Sequence, residues 1–418
     1  MEKYRKSAVL LLLAVFTAGC SDRDDSETPE IPVAPRIKYE VLKEYSFDDL
    51  KGLESDFKKE YTGGAFDLLS LIDRSVRYDG DVQMRVYKLS VASEHPGRPG
   101  TEISLSGLLI APPPEEGRAF RQAVAPPYTY VLQREAPTVR MARSDPDPHI
   151  LFWLIEAFNH GLAVMIPDYP GFGDSFGQCY IPYVEKESMT RTSLEYLKAA
   201  RTVLGMEKYA EKSGLIISGY SLGAYVSLQL ARELETGDSY GEMPVDLLFT
   251  GGSPCNLLRE ADLIRASARL PQPYLFPLAL LGYRENGYQQ LVMSDCLKEP
   301  YASQAAAYLD GQHEDYSRFF TDRPADLFTA GFLENRNQEE LNKILEENSV
   351  KPWKNHCRFI MTHGEGDETV YYEQAEQYAS EHKKHGGSLS FRKTPGTHTS
   401  AGLWFFWNLY VELEKSGL

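Results

Sequence analysis

Residues 219–223 have the sequence GYSLG, in which Ser221 lies between two glycines. This pattern directly follows Leu215 to Ser218, a short apolar run typical of a buried strand, and directly precedes a helix predicted from Leu222 to Leu234 by its apolar periodicity. A turn this sharp between a strand and a helix leaves no room for side chains beside the serine, which explains the two glycines. The sequence therefore predicts that Ser221 is a nucleophile held at the start of a helix.

An acid that could orient a catalytic base follows a later strand. A serine hydroxyl is a weak nucleophile at neutral pH, so it needs a base to remove its proton and an acid to hold that base. The strand pattern at residues 358–362 is followed by the sequence HGEGDE, whose glycines suit a loop that turns a short carboxylate toward a site. We choose Asp367 as the acid; Glu365 and Glu368 are competing acids, and His363 is predicted to be structural or solvated.

The base is predicted after the next strand, residues 389–392, where the sequence TPGTH ends at His398. A Pro-Gly turn frees this histidine from the sheet and lets it approach the serine, which singles it out from nine histidines. The alternative is a surface residue at the start of the last helix, predicted from Leu403 to Glu414. Ser221, Asp367 and His398 are thus all expected at strand ends, on one rim of the sheet.

The elements that must position these residues alternate between short apolar runs and helical patterns. Two early strands, Met84 to Ser90 and Ile103 to Ala111, are predicted to be antiparallel because a turn-forming GRPG separates them. Further predicted strands are residues 124–132, 162–167 and 247–250, and further predicted helices are residues 150–160, 193–204 and 372–384. The fold class is therefore α/β, with a mostly parallel central sheet and helices on both faces.

The alternation stops between Pro254 and Pro352, where helical patterns follow one another without strands. A long helical insertion between two strands of such a sheet predicts a lid over the strand ends, at about residues 254–352. A separate accessory domain is the alternative.

The N-terminus is predicted to be a processing segment. Cationic residues precede an apolar run from Ala8 to Ala18, which is shorter than the ~20 residues of a membrane-spanning helix. The run ends in TAGC, which resembles the lipobox of bacterial lipoproteins, so residues 1–19 are the predicted signal peptide and Cys20 the predicted lipidation site; ordinary cleavage near Ala18 is the alternative. Residues 20–45 are predicted to be a flexible acidic tether, and residues 46–418 the folded domain. This organisation implies an exported lipoprotein anchored to a Gram-negative membrane, in the periplasm or at the cell surface.

Composition narrows the function classes further. Hydrophobic residues make up 42% and charged residues 25%, which is ordinary for a globular protein and excludes a disordered or multi-span membrane chain. The net charge of −16, without a basic patch, argues against a nucleic-acid partner. Besides Cys20 there are four cysteines, none in a CxxC pair, so we expect neither a metal nor another cofactor. Their spacing leaves disulfides and free thiols equally open.

Several motifs together resemble the α/β-hydrolase superfamily, and more narrowly its secretory lipase and esterase branch. They are GYSLG around Ser221, DYPGFGDS at residues 168–175, HGEGD ending at Asp367, GTH ending at His398, and LEENSVKPW at residues 345–353. The resemblance covers the chain from Tyr87 onward. It implies a serine hydrolase with a helical lid.

The chain departs from this branch at the expected oxyanion hole. Members commonly carry Gln-His-Gly after the third strand, whereas the corresponding stretch here is LQRE, residues 132–135, without a glycine. The backbone N–H groups of Leu222 and of Gln133 or Arg134 are the predicted oxyanion donors, since donation by the backbone requires no particular side chain.

The sequence thus predicts a secreted carboxylic ester hydrolase that forms an acyl-enzyme on Ser221, with small-molecule or lipid esters as substrates and no cofactor. Two enzymatic alternatives stay open, a serine peptidase of prolyl-oligopeptidase type and a polysaccharide acetyl or feruloyl esterase. The alternative from another class is a surface binding protein with a decayed hydrolase site, which the sequence of residues 134–135 suggests.

Overall fold

The computed structural model of the protein describes residues 36–60, 83–114 and 119–415, without the side chains of residues 54–60. Its strands are β1 Ile37–Tyr45, β2 Met84–Glu94, β3 Glu102–Ala111, β4 Ala119–Val124, β5 Leu162–Pro167, β6 Ala210–Tyr220, β7 Val245–Gly251, β8 Arg358–Gly364 and β9 Leu389–Thr394. Within these ranges they form one nine-stranded sheet in the order β1-β2-β3-β5-β4-β6-β7-β8-β9. Strands β4 to β9 are parallel to one another, while β1, β2 and β3 pair antiparallel in succession and β3 pairs antiparallel with β5. The predicted mostly parallel sheet is confirmed.

Helices cover both faces of this sheet. They are α1 Phe47–Glu60, α2 Pro137–Ala142, α3 Pro148–His160, α4 Lys186–Met206, α5 Leu222–Thr236, α6 Leu257–Ala266, α7 Leu275–Glu285, α8 Met293–Cys296, α9 Tyr301–Tyr308, α10 Tyr316–Phe319, α11 Pro324–Leu327, α12 Ala330–Leu333, α13 Glu339–Asn348, α14 Tyr372–Lys384 and α15 His398–Lys415. Side chains alternate across a strand, so Leu215 and Ile217 of β6 pack with α4 and α5, while Ile216 packs with α3 and α15 on the other face. None of the helices in the described ranges is long and apolar enough to cross a lipid bilayer.

The predicted tether, residues 20–45, extends too far toward the body. Residues 37–45 form the edge strand β1, which pairs with β2 from Ile37 opposite Val91 to Tyr45 opposite Met84. Lys38, Glu40 and Glu44 of this strand are exposed, whereas Tyr45 is buried. The predicted signal peptide, the lipidation site at Cys20 and the rest of the tether lie outside the described residues.

The strand predicted at residues 124–132 is also wrong. Strand β4 ends at Val124, and the chain continues without regular structure to a 3₁₀ turn at Gln133–Glu135. The reason is the pair Pro126-Pro127, because a proline has no N–H to offer a neighbouring strand. The apolar residues of this stretch are buried as part of the loop rather than as part of the sheet.

The helical insertion occupies the connection between β7 and β8. Residues 252–357, all of which are described, contain the eight helices from α6 to α13. The insertion has an aromatic core of its own, in which the ring of Phe276 lies 5.5 Å from that of Phe328 and 4.8 Å from that of Phe332. It is joined to the sheet-covering helices by hydrogen bonds such as that from the Tyr225 hydroxyl of α5 to the carbonyl oxygen of Asn348.

The four cysteines of the described chain are free thiols, three of them buried: Cys179, Cys255, Cys296 and Cys357. No disulfide therefore joins any two of them. Burial raises the pKa of each of the four, so these thiols are held in the protonated, less reactive form.

Candidate active site

Ser221 lies at the junction of β6 and α5, where strand turns into helix within one residue. Its backbone has φ 56° and ψ −122°, a positive-φ conformation that costs a non-glycine residue about 1–3 kcal/mol. The two glycines of the motif make this turn possible. A Cβ on Gly219 would lie 2.3 Å from the carbonyl oxygen of Gly223, and a Cβ on Gly223 would lie 2.1 Å from the carbonyl oxygen of Pro126. Both neighbours are backbone atoms, so neither site can hold a larger residue without moving the turn.

A chain of hydrogen bonds connects Ser221, His398 and Asp367 at the carboxyl ends of their strands. His398 Nε2 lies 2.9 Å from Ser221 Oγ, and His398 Nδ1 lies 2.6 Å from Asp367 Oδ2. An ionised carboxylate only accepts hydrogen bonds, so Nδ1 carries the proton and Nε2 is left to accept from the serine hydroxyl. The structure thus brings together the three side chains that the sequence placed at separate strand ends.

The carboxyl group of Asp367 is fixed from several sides. Its Oδ1 accepts hydrogen bonds from the backbone N–H groups of Thr369 at 3.0 Å and Val370 at 2.9 Å, which leaves Oδ2 for the histidine. Burial by itself would raise the pKa of Asp367, but the side chains of His363 and His398 outweigh it and hold that pKa well below its usual range. Asp367 is therefore a carboxylate at any pH near neutrality.

His398 is the first residue of α15, which begins five residues earlier than the predicted helix start at Leu403. The side chain is buried rather than on the surface. Its position is set by Tyr220, whose hydroxyl donates a 2.5 Å hydrogen bond to the His398 carbonyl oxygen and whose ring lies 5.1 Å from the imidazole. Tyr220 was not predicted as a site residue, although it stands inside the GYSLG motif.

Of the predicted oxyanion donors Gln133 and Arg134, Gln133 needs correction. The Gln133 N–H donates to the carbonyl oxygen of Gly311 in the helical insertion at 2.8 Å, so it already has an acceptor. The segment that packs against the start of α5 is instead Pro126-Pro127, whose carbonyl oxygens lie beside Gly223. The prediction was misplaced because it assumed a strand through residue 132, and β4 ends eight residues before that.

Gln133 and Arg134 have other contacts. The Gln133 side chain forms a two-way pair with the backbone of Gly173, donating to its carbonyl oxygen at 3.1 Å and accepting from its N–H at 2.9 Å. This pair joins the loop after β4 to the loop after β5. Arg134 is half exposed and forms an ion pair with Glu314 of the insertion. Leu222, the other predicted donor, is the first residue of α5, where an N–H has no carbonyl partner within its own helix.

The competing acids lie away from the histidine. Glu365 and Glu368 are exposed in the loop that carries Asp367, and Glu365 pairs with Lys393 at 3.6 Å. His363, by contrast, is completely enclosed next to Asp367. The signal that could have identified it as a site residue is its position in the HGEGD motif, four residues before Asp367.

A further buried acid, Glu260 of α6, was also missed. Both of its carboxyl oxygens face the backbone N–H of Tyr371, at 3.2 and 3.1 Å. Burial raises its pKa well above the usual range, and the charges of Asp367 and Glu373 raise it further. Nothing in its helical spacing distinguished it from a solvated glutamate. Within the described residues, no group of three or more His, Cys, Asp or Glu side chains is arranged to hold a metal ion.

The architecture is the α/β-hydrolase fold, as comparison with solved structures shows. A Legionella pneumophila protein whose assignment as a hydrolase is itself provisional superposes with a TM-score of 0.74 at 18% identity, over 90% of this chain and 96% of that one. The rice cell wall degrading esterase LipA from Xanthomonas oryzae gives 0.69 at 17% identity, over 88% and 93% of the two chains. Candida antarctica lipase A gives 0.57 at 14% identity, over 75% and 73%. No protein-family model and no curated protein matches the sequence.

Proposed function

We propose that this protein is a serine hydrolase that cleaves carboxylic esters through an acyl-enzyme on Ser221. The observation that carries this proposal is the unbroken hydrogen-bond chain from Ser221 through His398 to Asp367, built on a strained strand-to-helix turn. Three side chains far apart in sequence do not meet in this order, with this tautomer, for reasons of packing alone. The esterases and lipases that share the fold support the same reaction class.

In the proposed mechanism, His398 Nε2 takes the proton of Ser221 as its oxygen attacks the ester carbonyl carbon. Asp367 holds the Nδ1 proton and stabilises the imidazolium that forms. The tetrahedral intermediate collapses, the carbon–oxygen bond of the alcohol breaks, and His398 returns the proton to the leaving alcohol. Water then attacks the acyl-serine by the same steps and releases the acid.

The developing oxyanion requires two donors near Ser221, of which the Leu222 N–H is one. We place the other in the stretch Tyr128–Thr129. Since Pro126 and Pro127 lie against the start of α5 but have no N–H, the two residues after them are the next that can donate. The Thr129 hydroxyl is held 2.8 Å from that of Tyr183, which steadies the stretch.

Substitution of the nucleophile tests the proposal directly. We expect Ser221→Ala to lower the hydrolysis of a short-chain nitrophenyl ester by about 10³-fold or more, and to abolish labelling by a fluorophosphonate. The matched control is Ser227→Ala, one turn and a half along α5, whose buried hydroxyl has no hydrogen-bond partner among the described residues. If folded wild type gave no adduct at Ser221, the protein would be a binding protein with a decayed site instead.

A substrate panel separates the enzymatic alternatives. Nitrophenyl esters of increasing chain length test for a lipase or esterase, proline-containing peptide amides for a peptidase, and acetylated or feruloylated polysaccharides for a polysaccharide esterase. The Xanthomonas esterase with the same fold degrades rice cell wall, which supports the inclusion of the last group. We expect the ester members of the panel to be cleaved and the amides to be left intact.

We also propose that the chain is exported and anchored to a membrane through Cys20. The support is the signal-like segment and the lipobox-like TAGC in the sequence. In a Gram-negative host, the wild type should then partition into detergent with the membrane fraction, and Cys20→Ser should appear in the aqueous fraction. Recovery of both proteins in the aqueous fraction would refute the anchor without touching the hydrolase proposal.

A further inference from the structure

His363 lies at the end of β8, one residue before the strand stops, and its imidazole is completely enclosed. Its Nε2 is 2.9 Å from the carbonyl oxygen of Val370 and 3.4 Å from Oδ2 of Asp367. Its ring also packs edge to face with that of Tyr372, with the ring centres 6.0 Å apart. A polar side chain buried this deeply beside a candidate catalytic carboxylate has a role that the mechanism above does not use.

The tautomer of His363 follows from its partner. A backbone carbonyl oxygen only accepts hydrogen bonds, so Nε2 must carry a proton and donate it to Val370. The other ring nitrogen, Nδ1, has no partner among the described residues. The hydrogen on Nε2, which carries a partial positive charge, is therefore the part of His363 that faces Asp367.

The oxygens of Asp367 are divided between two tasks. Oδ1 accepts the N–H groups of Thr369 and Val370 and so closes the turn, while Oδ2 faces His398. His363 contacts both parts of this arrangement, because it donates to the carbonyl oxygen of Val370 in the turn and also lies next to Oδ2. Loss of this side chain would free one end of the turn and remove a donor from the carboxylate.

We propose that His363 is a positioning residue that holds the Asp367 carboxylate in the orientation His398 requires. The inference rests on the proposed function of Ser221, His398 and Asp367, and it adds a fourth side chain to that arrangement. His363 does not touch the serine or the reacting carbon. It acts through Asp367 alone.

Other groups also face Asp367 and could change a pH profile. They are His398 from α15, Glu260 from α6 and Tyr220 from β6. Burial raises the pKa values of Glu260 and Tyr220 well above their usual ranges, which favours the uncharged form of both side chains.

The test uses the full chain and the rate at which a fluorophosphonate labels Ser221, measured from pH 5 to pH 9. We expect His363→Leu to slow labelling about tenfold at neutral pH and to move the acidic limb to lower pH by about half a unit. The reason is that a displaced carboxylate gives less stabilisation to the positive charge that His398 gains as it takes the Ser221 proton. His363→Gln has an amide that can still donate near the former Nε2, so it should restore most of the labelling rate and most of the position of the acidic limb.

A matched control separates positioning from stability. His382→Leu removes another buried imidazole, which contacts Asn355 and Tyr378 far from the triad, so it should lower the melting temperature but leave the acidic limb in place. If folded His363→Leu labelled like wild type at every pH, the positioning role would be refuted while the hydrolase proposal stood. If wild type itself gave no adduct at Ser221, both proposals would fall together.

Discussion

Tyr220 occupies a variable position of the GYSLG motif, and its side chain reaches the histidine that faces Ser221. The hydroxyl donates to the backbone of His398 while the ring packs between the imidazole and Phe405. The residue before the nucleophile therefore places the first residue of α15, and through it the imidazole. Because strand ends converge in a parallel sheet, sequence reasoning could predict which residues would meet, but not which neighbour would hold them.

Substitution of Tyr220 tests this contact. Tyr220→Phe keeps the packing and removes one hydrogen bond, so we expect kcat for ester hydrolysis to fall about three- to tenfold, as the loss of about 1 kcal/mol of positioning implies. The melting temperature should hardly change, because Phe fills the same space. A kcat equal to that of wild type would show that α15 holds His398 without the tyrosine.

The elements show where sequence patterns suffice and where they fail. Strand β5 and helix α14 match their predicted bounds. Strand β5 is a continuous apolar run that ends at Pro167, and α14 is a periodic run followed by Gly386 and Gly387. Strand β1 escaped prediction because a half-exposed edge strand alternates too weakly to differ from a polar tether. The oxyanion donors that we propose escaped sequence reasoning because their place depends on how a Pro-Pro loop packs against α5, which is a long-range contact. The role of Gln133 as a clamp between two loops has the same origin.

Helix α6 carries a prediction of its own through Glu260. Its folded-state pKa is raised, so protonated Glu260 stabilises the fold fully below the ordinary pKa of a glutamate, and this stability is lost as the pH rises through the raised value. Glu260→Gln cannot ionise, so the melting temperature of the variant should gain on that of wild type as the pH increases from 5 to 9. Glu346→Gln, on the exposed face of α13, is the control and should show no such trend. Parallel curves for all three proteins would contradict the assigned burial of Glu260.

For the molecule as a whole, the folded body begins earlier than its sequence suggested. Strand β1 pairs with β2 along its length, and Tyr39 adds a 2.8 Å hydrogen bond to Glu207 at the end of α4. Without β1, the backbone of β2 would become an unpaired sheet edge, which promotes association with other chains.

Two truncations measure this contribution. A chain that starts at residue 36 should melt at the same temperature as one that starts at residue 20, because it loses only residues 20–35 of the predicted tether and keeps β1. A chain that starts at residue 46 loses β1 as well, and we expect its melting temperature to fall by about 5 °C or more and its tendency to self-associate to rise. Differential scanning calorimetry and light scattering make the comparison. Equal melting temperatures for the chains that start at residues 36 and 46 would mean that β1 adds nothing to stability.

The direction of β1 decides from which side the proposed anchor at Cys20 would hold the chain. Because β1, β2, β3 and β5 pair antiparallel in succession, β1 starts at the rim where β5 to β9 end, and this rim also carries Ser221 and His398. Cys20 and Ile37 are separated by 17 positions, which extended chain spans in on the order of 60 Å. An attachment at Cys20 would therefore join the folded body at the rim that carries Ser221 and His398. A protein anchored in this way would turn its candidate active site toward the membrane surface, and its substrates would be components of that surface.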